Sequence, residues 1–277
     1  MKIGIIGLGL MGGSIAKAIK KFTDNIVLGF DIDETVNKNA KEINAIDDIL
    51  TQSEVKDCDL VIVSLYPQAT IDYIKENADN FKKSAIIMDI SGVKRYVCDA
   101  LYEVAKKNGF VFIGAHPMAG LHFSGFLHST EKIFNNSSMI LTPYEDTPEE
   151  SVNIIKQIFL KIGFANIQMS TPDEHDKIIA FTSQLAHVVS NAYVKSPNAL
   201  IHKGFSAGSY KDLTRVAYLN ENMWSELFLE NRDNLINEID SIVNNLVQYK
   251  ETIENNDRET LARLLREGRL LKEQIDG

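Results

Sequence analysis

Cysteine is nearly absent: the 277 residues hold two, Cys58 and Cys98. Neither stands at a disulfide, metal-ligand or redox spacing, so both read as reduced thiols of a cytoplasmic protein. Positive charge is in deficit, 29 Lys and Arg against 38 Asp and Glu, for a net charge of −9. Such a surface argues against nucleic acid or anionic membrane as the main partner. It still leaves room for one basic pocket that takes a small anion. The apolar opening, MKIGIIGLGLMGGSIAKAI, lacks the basic start of a signal peptide, and its glycines break any membrane-span reading. Internal repeats and low-complexity segments are missing too. What remains is a globular composition, 44% hydrophobic, with enough chain for two domains.

The first half alternates short β-branched runs with longer amphipathic ones. KIGIIG, NIVLGFD, DLVIVSL, AIIMDIS, FVFIGA and SMILTP have strand length; SIAKAIKKF, ATIDYIKENADNF and RYVCDALYEVAKKN lie between them as helices. One more helix, EESVNIIKQIFLKIG, and a short strand, NIQMS, finish this part. Continuous apolar strands alternating with helices predict a mostly parallel sheet covered on both faces. After Pro172 strand signals vanish and apolar residues recur at helical spacing. The fold class expected is α/β: a Rossmann-type, mostly parallel sheet domain over 1–170, then an all-helical domain over 171–277. Leu235, Ile239, Ile242, Val243, Leu246 and Tyr249 make one apolar stripe in the second part, suited to intrachain packing or to a dimer interface.

Gly7, Leu8, Gly9, Leu10, Met11 and Gly12 spell G-x-G-x-x-G between the first strand and the first helix, and Asp31 ends the second strand. In that setting the pattern is a dinucleotide fingerprint. Gly7 permits the tight turn, Gly9 lets backbone approach a pyrophosphate, and Gly12 lets the helix pack on the sheet. Asp31 can accept bonds from ribose hydroxyls and repels a 2′-phosphate, which favours NAD over NADP. Further strand ends carry small, polar or imidazole groups: Ser64 in SLYPQ, Ser91 in DISGVK, and His116 in AHPMAG. Ligands gather at such carboxyl ends. Histidine is also the side chain with an unperturbed pKa, about 6.5, placed for proton transfer near neutrality.

In the helical part TSQLAHVV sets Ser183 and His187 four apart, on one helical face. KDLTRVA sets Asp212 and Arg215 one turn apart. An arginine cannot shed its charge, so it pairs either with Asp212 or with a substrate carboxylate; spacing leaves both open.

GLGLMGGS, HPMAG followed by SG, HD at His175 and Asp176, LAH ending in His187, and DLTRVA followed by MW occur in this order across nearly the whole chain. In these the sequence resembles the prephenate and arogenate dehydrogenases of tyrosine biosynthesis. The resemblance implies a Rossmann domain followed by a helical dimerisation domain, with neither a fused chorismate mutase segment nor a C-terminal regulatory domain. It implies NAD as cofactor and prephenate or arogenate as the small-molecule substrate, with a homodimer as the assembled form. It makes His116 the catalytic histidine on the ring hydroxyl, Arg215 the ligand of the ring carboxylate, and His187 a residue of the side-chain end of the pocket, with Ser183 near it. Four positions depart from the family. Gly92 stands where the family has the serine that bonds the catalytic imidazole, so Ser91 becomes the candidate replacement. His122 stands where a glutamate usually follows HPMAG, and QLAH, with Gln184 and Ala186, replaces HLPH. Exchanging that carboxylate for imidazole at His122, near the substrate, leans toward prephenate over the ammonium-bearing arogenate. The rivals are a β-hydroxyacid-type dehydrogenase, with Lys177 or Lys195 as its acid, and an NAD-binding sensor without chemistry.

Overall fold

The computed structural model describes residues 1–121 and 123–276, so the His122 expectation lies outside the described residues. Two compact units emerge, Met1–Asn231 and the helices from Arg232 onward.

The first unit is built on an eight-stranded sheet in the order β3-β2-β1-β4-β5-β6-β7-β8. The strands are β1 (Lys2–Ile6), β2 (Ile26–Phe30), β3 (Asp48–Ile49), β4 (Leu60–Val63), β5 (Ile86–Asp89), β6 (Val111–Pro117), β7 (Ser138–Thr142) and β8 (Asn166–Met169). Every pairing is parallel except β6 with β7. The two-residue β3 has too few residues to show any periodicity, and the sequence gives no sign of it. Its register comes from β2, where Leu28 pairs with Asp48.

Helices α1 (Leu10–Phe22), α2 (Glu34–Glu42), α3 (Pro67–Glu76), α4 (Arg95–Asn108) and α5 (Glu149–Lys161) connect the strands. Ile3, Ile5, Leu60, Ile62, Met88 and Ile113 share one core with α1 and α5 residues such as Ile15 and Phe159. Val61, Val63 and Ile87 alternate with them into a second core that holds Ile71 and Ile74 of α3 and Leu101 of α4. A strand buried on both faces needs this unbroken apolar run, which is why the runs were visible in the sequence. Strand order reverses between β1 and β4, so a crevice opens above their carboxyl ends.

Beyond β8 the unit is helical. Thr171 and Glu174 form a capping box that starts α6 (Pro172–Ile179). A π-helical turn, Ala180–Leu185, carries the same helix into α7 (Ala186–Tyr193). Helices α8 (Gly208–Thr214) and α9 (Glu221–Glu230) complete it.

The second unit pairs α10 (Arg232–Glu254) with α11 (Arg258–Asp276), joined by a bond from Tyr249 Oη to the Leu264 carbonyl, 3.4 Å. The expected stripe is covered only in part: Leu235 is buried while Val243 and Leu246 are exposed. Among the described residues no helix is long and apolar enough to cross a membrane.

Candidate active site

The glycine-rich loop leaves β1 with Gly7 at φ +85°, a conformation that L side chains rarely adopt. A Cβ on Gly12 would lie 1.9 Å from the Gly7 carbonyl oxygen, so only glycine lets α1 start there. At Gly9 a Cβ would meet no protein atom within 4 Å. That position faces open space, as close approach by a ligand requires. Helix α1 also begins without a side-chain cap, which leaves its first N–H groups and the positive end of its dipole for an anion. Ser64 sits against this loop, and its N–H donates to the Ile6 carbonyl at 2.7 Å.

Asp31 follows β2, and its carboxylate accepts the Leu8 N–H at 2.8 Å and the Asp33 N–H at 3.0 Å. Each oxygen keeps a free lone pair, enough for a ribose hydroxyl. Asn37 clamps the Asp31 backbone from both sides at 2.8 Å. Beyond it a cleft of about 270 Å³ runs between the start of α2 and Gly125–His128. Uncapped helix, bare Gly9 and pinned carboxylate fit a dinucleotide.

His116 stands one residue before the end of β6 and is half-buried. Its Nδ1 lies 2.9 Å from Nε2 of His175 on α6, and Nδ1 of His175 lies 2.7 Å from Oδ1 of Asp176. The side chains of His175 and Asp176 are fully buried. Asp176 accepts the N–H groups of Lys94 at 2.7 Å and Arg95 at 2.9 Å. Helix α4 has no side-chain cap of its own; a carboxylate from α6 takes that place. Asn231 in turn donates to the Asp176 carbonyl at 2.8 Å and to Gln184 Oε1 at 2.9 Å. Gln184 donates to the Leu227 carbonyl near the end of α9, at 3.0 Å. In this chain Gln184 therefore braces the site from behind.

The structure corrects one expectation. Ser91 does not bond His116: its hydroxyl donates to Asp89 at 2.6 Å, with the Val93 carbonyl oxygen 3.1 Å away. The imidazole is partnered by His175, which the sequence reading left without a role. At Gly92 a Cβ would lie 3.9 Å from Nε2 of His116 and 3.4 Å from the Leu227 methyls, so Nε2 lies beside position 92 with no side chain coming from it.

Behind the site Lys94 is fully buried, ion-paired to Asp89 and donating to the Ala115 carbonyl at 2.7 Å. Burial, then the neighbouring His175 and the Lys94 charge, holds His116 well below the usual imidazole range. Burial also lowers His175 and His187. All three imidazoles are thus neutral near pH 7.

His187 lies on α7, 2.9 Å from the Val216 carbonyl through Nδ1 and 3.9 Å between centroids from the Trp224 ring. Ser183 precedes it inside the π-helical turn and is half-buried. The expected uninterrupted α-helix is thus replaced by a wider turn, a feature frequent at functional sites. Arg215 is exposed, and among the described residues it pairs with no carboxylate, Asp212 included. Its charge reaches His187, which it pushes further down. Lys177 and Lys195 are both exposed, so neither is placed as a buried acid. Trp224 stood out only as part of the MW that follows DLTRVA, and Leu227 not at all, because aromatic and leucine residues at helical spacing read as core.

A dinucleotide crevice at the reversal of a parallel sheet, with a neutral histidine at a neighbouring strand end, defines a dehydrogenase. Comparison with known proteins narrows the class. The family model for the prephenate dehydrogenase nucleotide-binding domain matches residues 15–168, and that for the prephenate dehydrogenase dimerization domain matches 171–267. The prephenate dehydrogenase of Bacillus subtilis is 32% identical over 94% of this chain and 72% of its own length. The cyclohexadienyl dehydrogenase of Zymomonas mobilis is 30% identical over 96% and 92%. A solved prephenate dehydrogenase from A. aeolicus, in complex with hydroxyphenyl propionate and NAD+, superposes with a TM-score of 0.85 at 28% identity, covering 99% and 98% of the two chains. The chain belongs to the prephenate dehydrogenase family, a family of oxidoreductases.

Proposed function

We propose that this enzyme oxidatively decarboxylates prephenate to 4-hydroxyphenylpyruvate and CO2 with NAD, His116 handling the hydroxyl proton. The observation that carries the reading is His116 itself: an imidazole held neutral at a strand end of the dinucleotide crevice, with Nδ1 taken by His175 and Nε2 on the side of Gly92. Bound along the Gly7–Gly12 loop with its ribose at Asp31, NAD supplies a hydride acceptor. As hydride leaves ring C4, His116 draws the proton from the C4 hydroxyl and a carbonyl forms. The ring carboxylate then departs as CO2, its bonding electrons flow through the ring, and the new phenolate recovers the proton from His116. Charge and protons balance without further reactants. Arg215, exposed and without a carboxylate partner among the described residues, supplies a permanent cation for that carboxylate. His187 and Ser183 line the side-chain end. Orientation and one proton transfer are what the protein contributes, because aromatisation drives the reaction.

One observation favours arogenate as a second reading. With Nδ1 of His187 on the Val216 carbonyl, a neutral ring turns a lone pair outward at Nε2, an acceptor that suits an ammonium. His122 argues the other way, since a glutamate there would attract that ammonium. The molecule works as a homodimer through its helical part, where Val247, Leu265 and Leu271 are exposed. Two buried, unpaired thiols, pushed up to about 11 at Cys58 and about 12 at Cys98, suit a reducing cytoplasm.

The test is NADH production with prephenate and arogenate supplied separately, and His116→Asn assayed beside the parent. Loss of a positioned base lowers kcat by roughly 10²–10⁴-fold. His122→Glu raises the use of arogenate relative to prephenate. Turnover of neither substrate, with NAD still bound, refutes the reading and favours the sensor.

A further inference from the structure

The chain His116–His175–Asp176 can carry its protons in few ways. Asp176 takes main-chain N–H bonds on both oxygens at the positive end of α4, so both oxygens serve there as acceptors. It offers acceptors only. His175 lies with Nδ1 2.7 Å from Oδ1 of that carboxylate, so Nδ1 must carry hydrogen; two facing lone pairs at that distance repel. A buried, neutral imidazole has one N–H. Nε2 of His175 is therefore a bare acceptor, and the bond it shares with Nδ1 of His116, 2.9 Å, is donated by His116. That uses the single N–H of a neutral His116. Nε2 of His116 is left with its lone pair on the side of Gly92.

We propose that Asp176 and His175 are positioning residues that hold His116 in the Nδ1–H tautomer, so that Nε2 is the nitrogen that takes the hydroxyl proton. The proposal deepens the dehydrogenase reading and rests on it for its kinetic consequence. The proton-bearing pattern itself needs no substrate. The device works through geometry as well as charge. Asp176 is tied to the first turn of α4, and its own carbonyl is held by Asn231. The tautomer is thus set by the packing of α4 against α6, with Asn231 behind it. Once His116 has taken the proton, its Nδ1–H donates as part of a cation, and the bond to His175 strengthens. The catalytic ring here has no hydroxyl on its Nε2 side from position 92, so orientation comes from the Nδ1 side alone. Leu227 closes the opposite wall, its backbone fixed by Gln184.

The experiment has two arms on the full-length protein. In the first, ¹⁵N-histidine NMR of the unmodified enzyme, with His116→Asn to assign the ring, reports which nitrogen carries hydrogen. The expected pattern is Nδ1–H on both His116 and His175; hydrogen on Nε2 of His116 overturns the proposal whether or not any substrate is turned over. In the second, His175→Leu and His175→Gln are assayed for kcat, KM and pH profile. Leucine removes the acceptor, and kcat falls about 10- to 100-fold with KM changed less than about threefold. The acid limb of kcat/KM moves down in pH, because a His116 cation loses the acceptor to which its Nδ1–H donates. Glutamine offers an amide oxygen to Nδ1–H and keeps kcat within about fivefold of the parent. A leucine variant with kcat within twofold of the parent and an unmoved acid limb overturns the proposal. Should the leucine variant fail to fold, the NMR pattern and the glutamine variant decide. If the parent turns over neither prephenate nor arogenate, the functional reading fails while the nitrogen spectra still judge the tautomer.

Discussion

Replacing Lys94 by methionine tests what holds the strand ends in place. Lys94 is among the largest fully buried side chains and forms an ion pair with Asp89, both at 0% exposure. Methionine keeps most of the stem volume, so packing changes little. What it removes is the countercharge. Asp89 would keep the Ser91 N–H at 3.0 Å and the Ser91 hydroxyl at 2.6 Å on Oδ2. Oδ1 is buried and has no hydrogen-bond partner. Stranding one member of a buried pair costs about 3–5 kcal/mol, a large share of the roughly 5–15 kcal/mol by which domains are stable. The Ala115 carbonyl would also lose its 2.7 Å donor, one residue from His116. Asp89→Asn/Lys94→Met removes both charges and should cost less than half as much as Lys94→Met alone. The assay is guanidinium unfolding at fixed protein concentration, followed by the fluorescence of Trp224, the one tryptophan. A Lys94→Met cost under about 1 kcal/mol, or a double variant whose cost equals the sum of the two singles, would refute the reasoning.

The glycine loop separates folding from binding. Gly9→Ala meets no protein atom and should leave Tm within about a degree while raising the KM for NAD at least tenfold; Gly12→Ala collides with backbone and should cost about 1–3 kcal/mol, read by the same unfolding assay. Glu230 is pushed up to about 8, chiefly by burial and then by Glu226, whose own carboxylate accepts the Gln68 N–H at 2.9 Å. A carboxyl raised in the folded state stabilises it below the unfolded pKa, and that contribution is lost as pH climbs from about 4.5 through about 8. Glu230→Gln should therefore raise Tm at pH 8.5 and change it little at pH 5; an equal shift at both would remove Glu230 as the cause.

Periodicity and chemistry made much of this molecule legible. Sheet-core strands such as LVIV at Leu60–Val63 announce themselves because burial on both faces demands apolar residues throughout. The glycine fingerprint is equally local: Gly7 and Gly12 are required by a positive φ and a backbone contact within one loop. Asp31 and His116 were readable because strand ends are where such a sheet keeps its ligands. Partnership was not readable. Ser91 follows β5, the strand paired with β6, yet its hydroxyl is claimed two residues away by Asp89, a competition that only packing settles. His175 comes 59 residues after His116, on a helix, and reaches it because an Asp176 carboxylate docks on the start of α4. The fate of Arg215 was likewise undecided by its spacing from Asp212; the fold leaves it without a carboxylate among the described residues. Sequence thus determined the residue types and the elements that carry them, because local sterics and burial act along the chain. Tertiary structure alone decided which nitrogen meets which acceptor, since a hydrogen bond between distant segments exists only once both are packed.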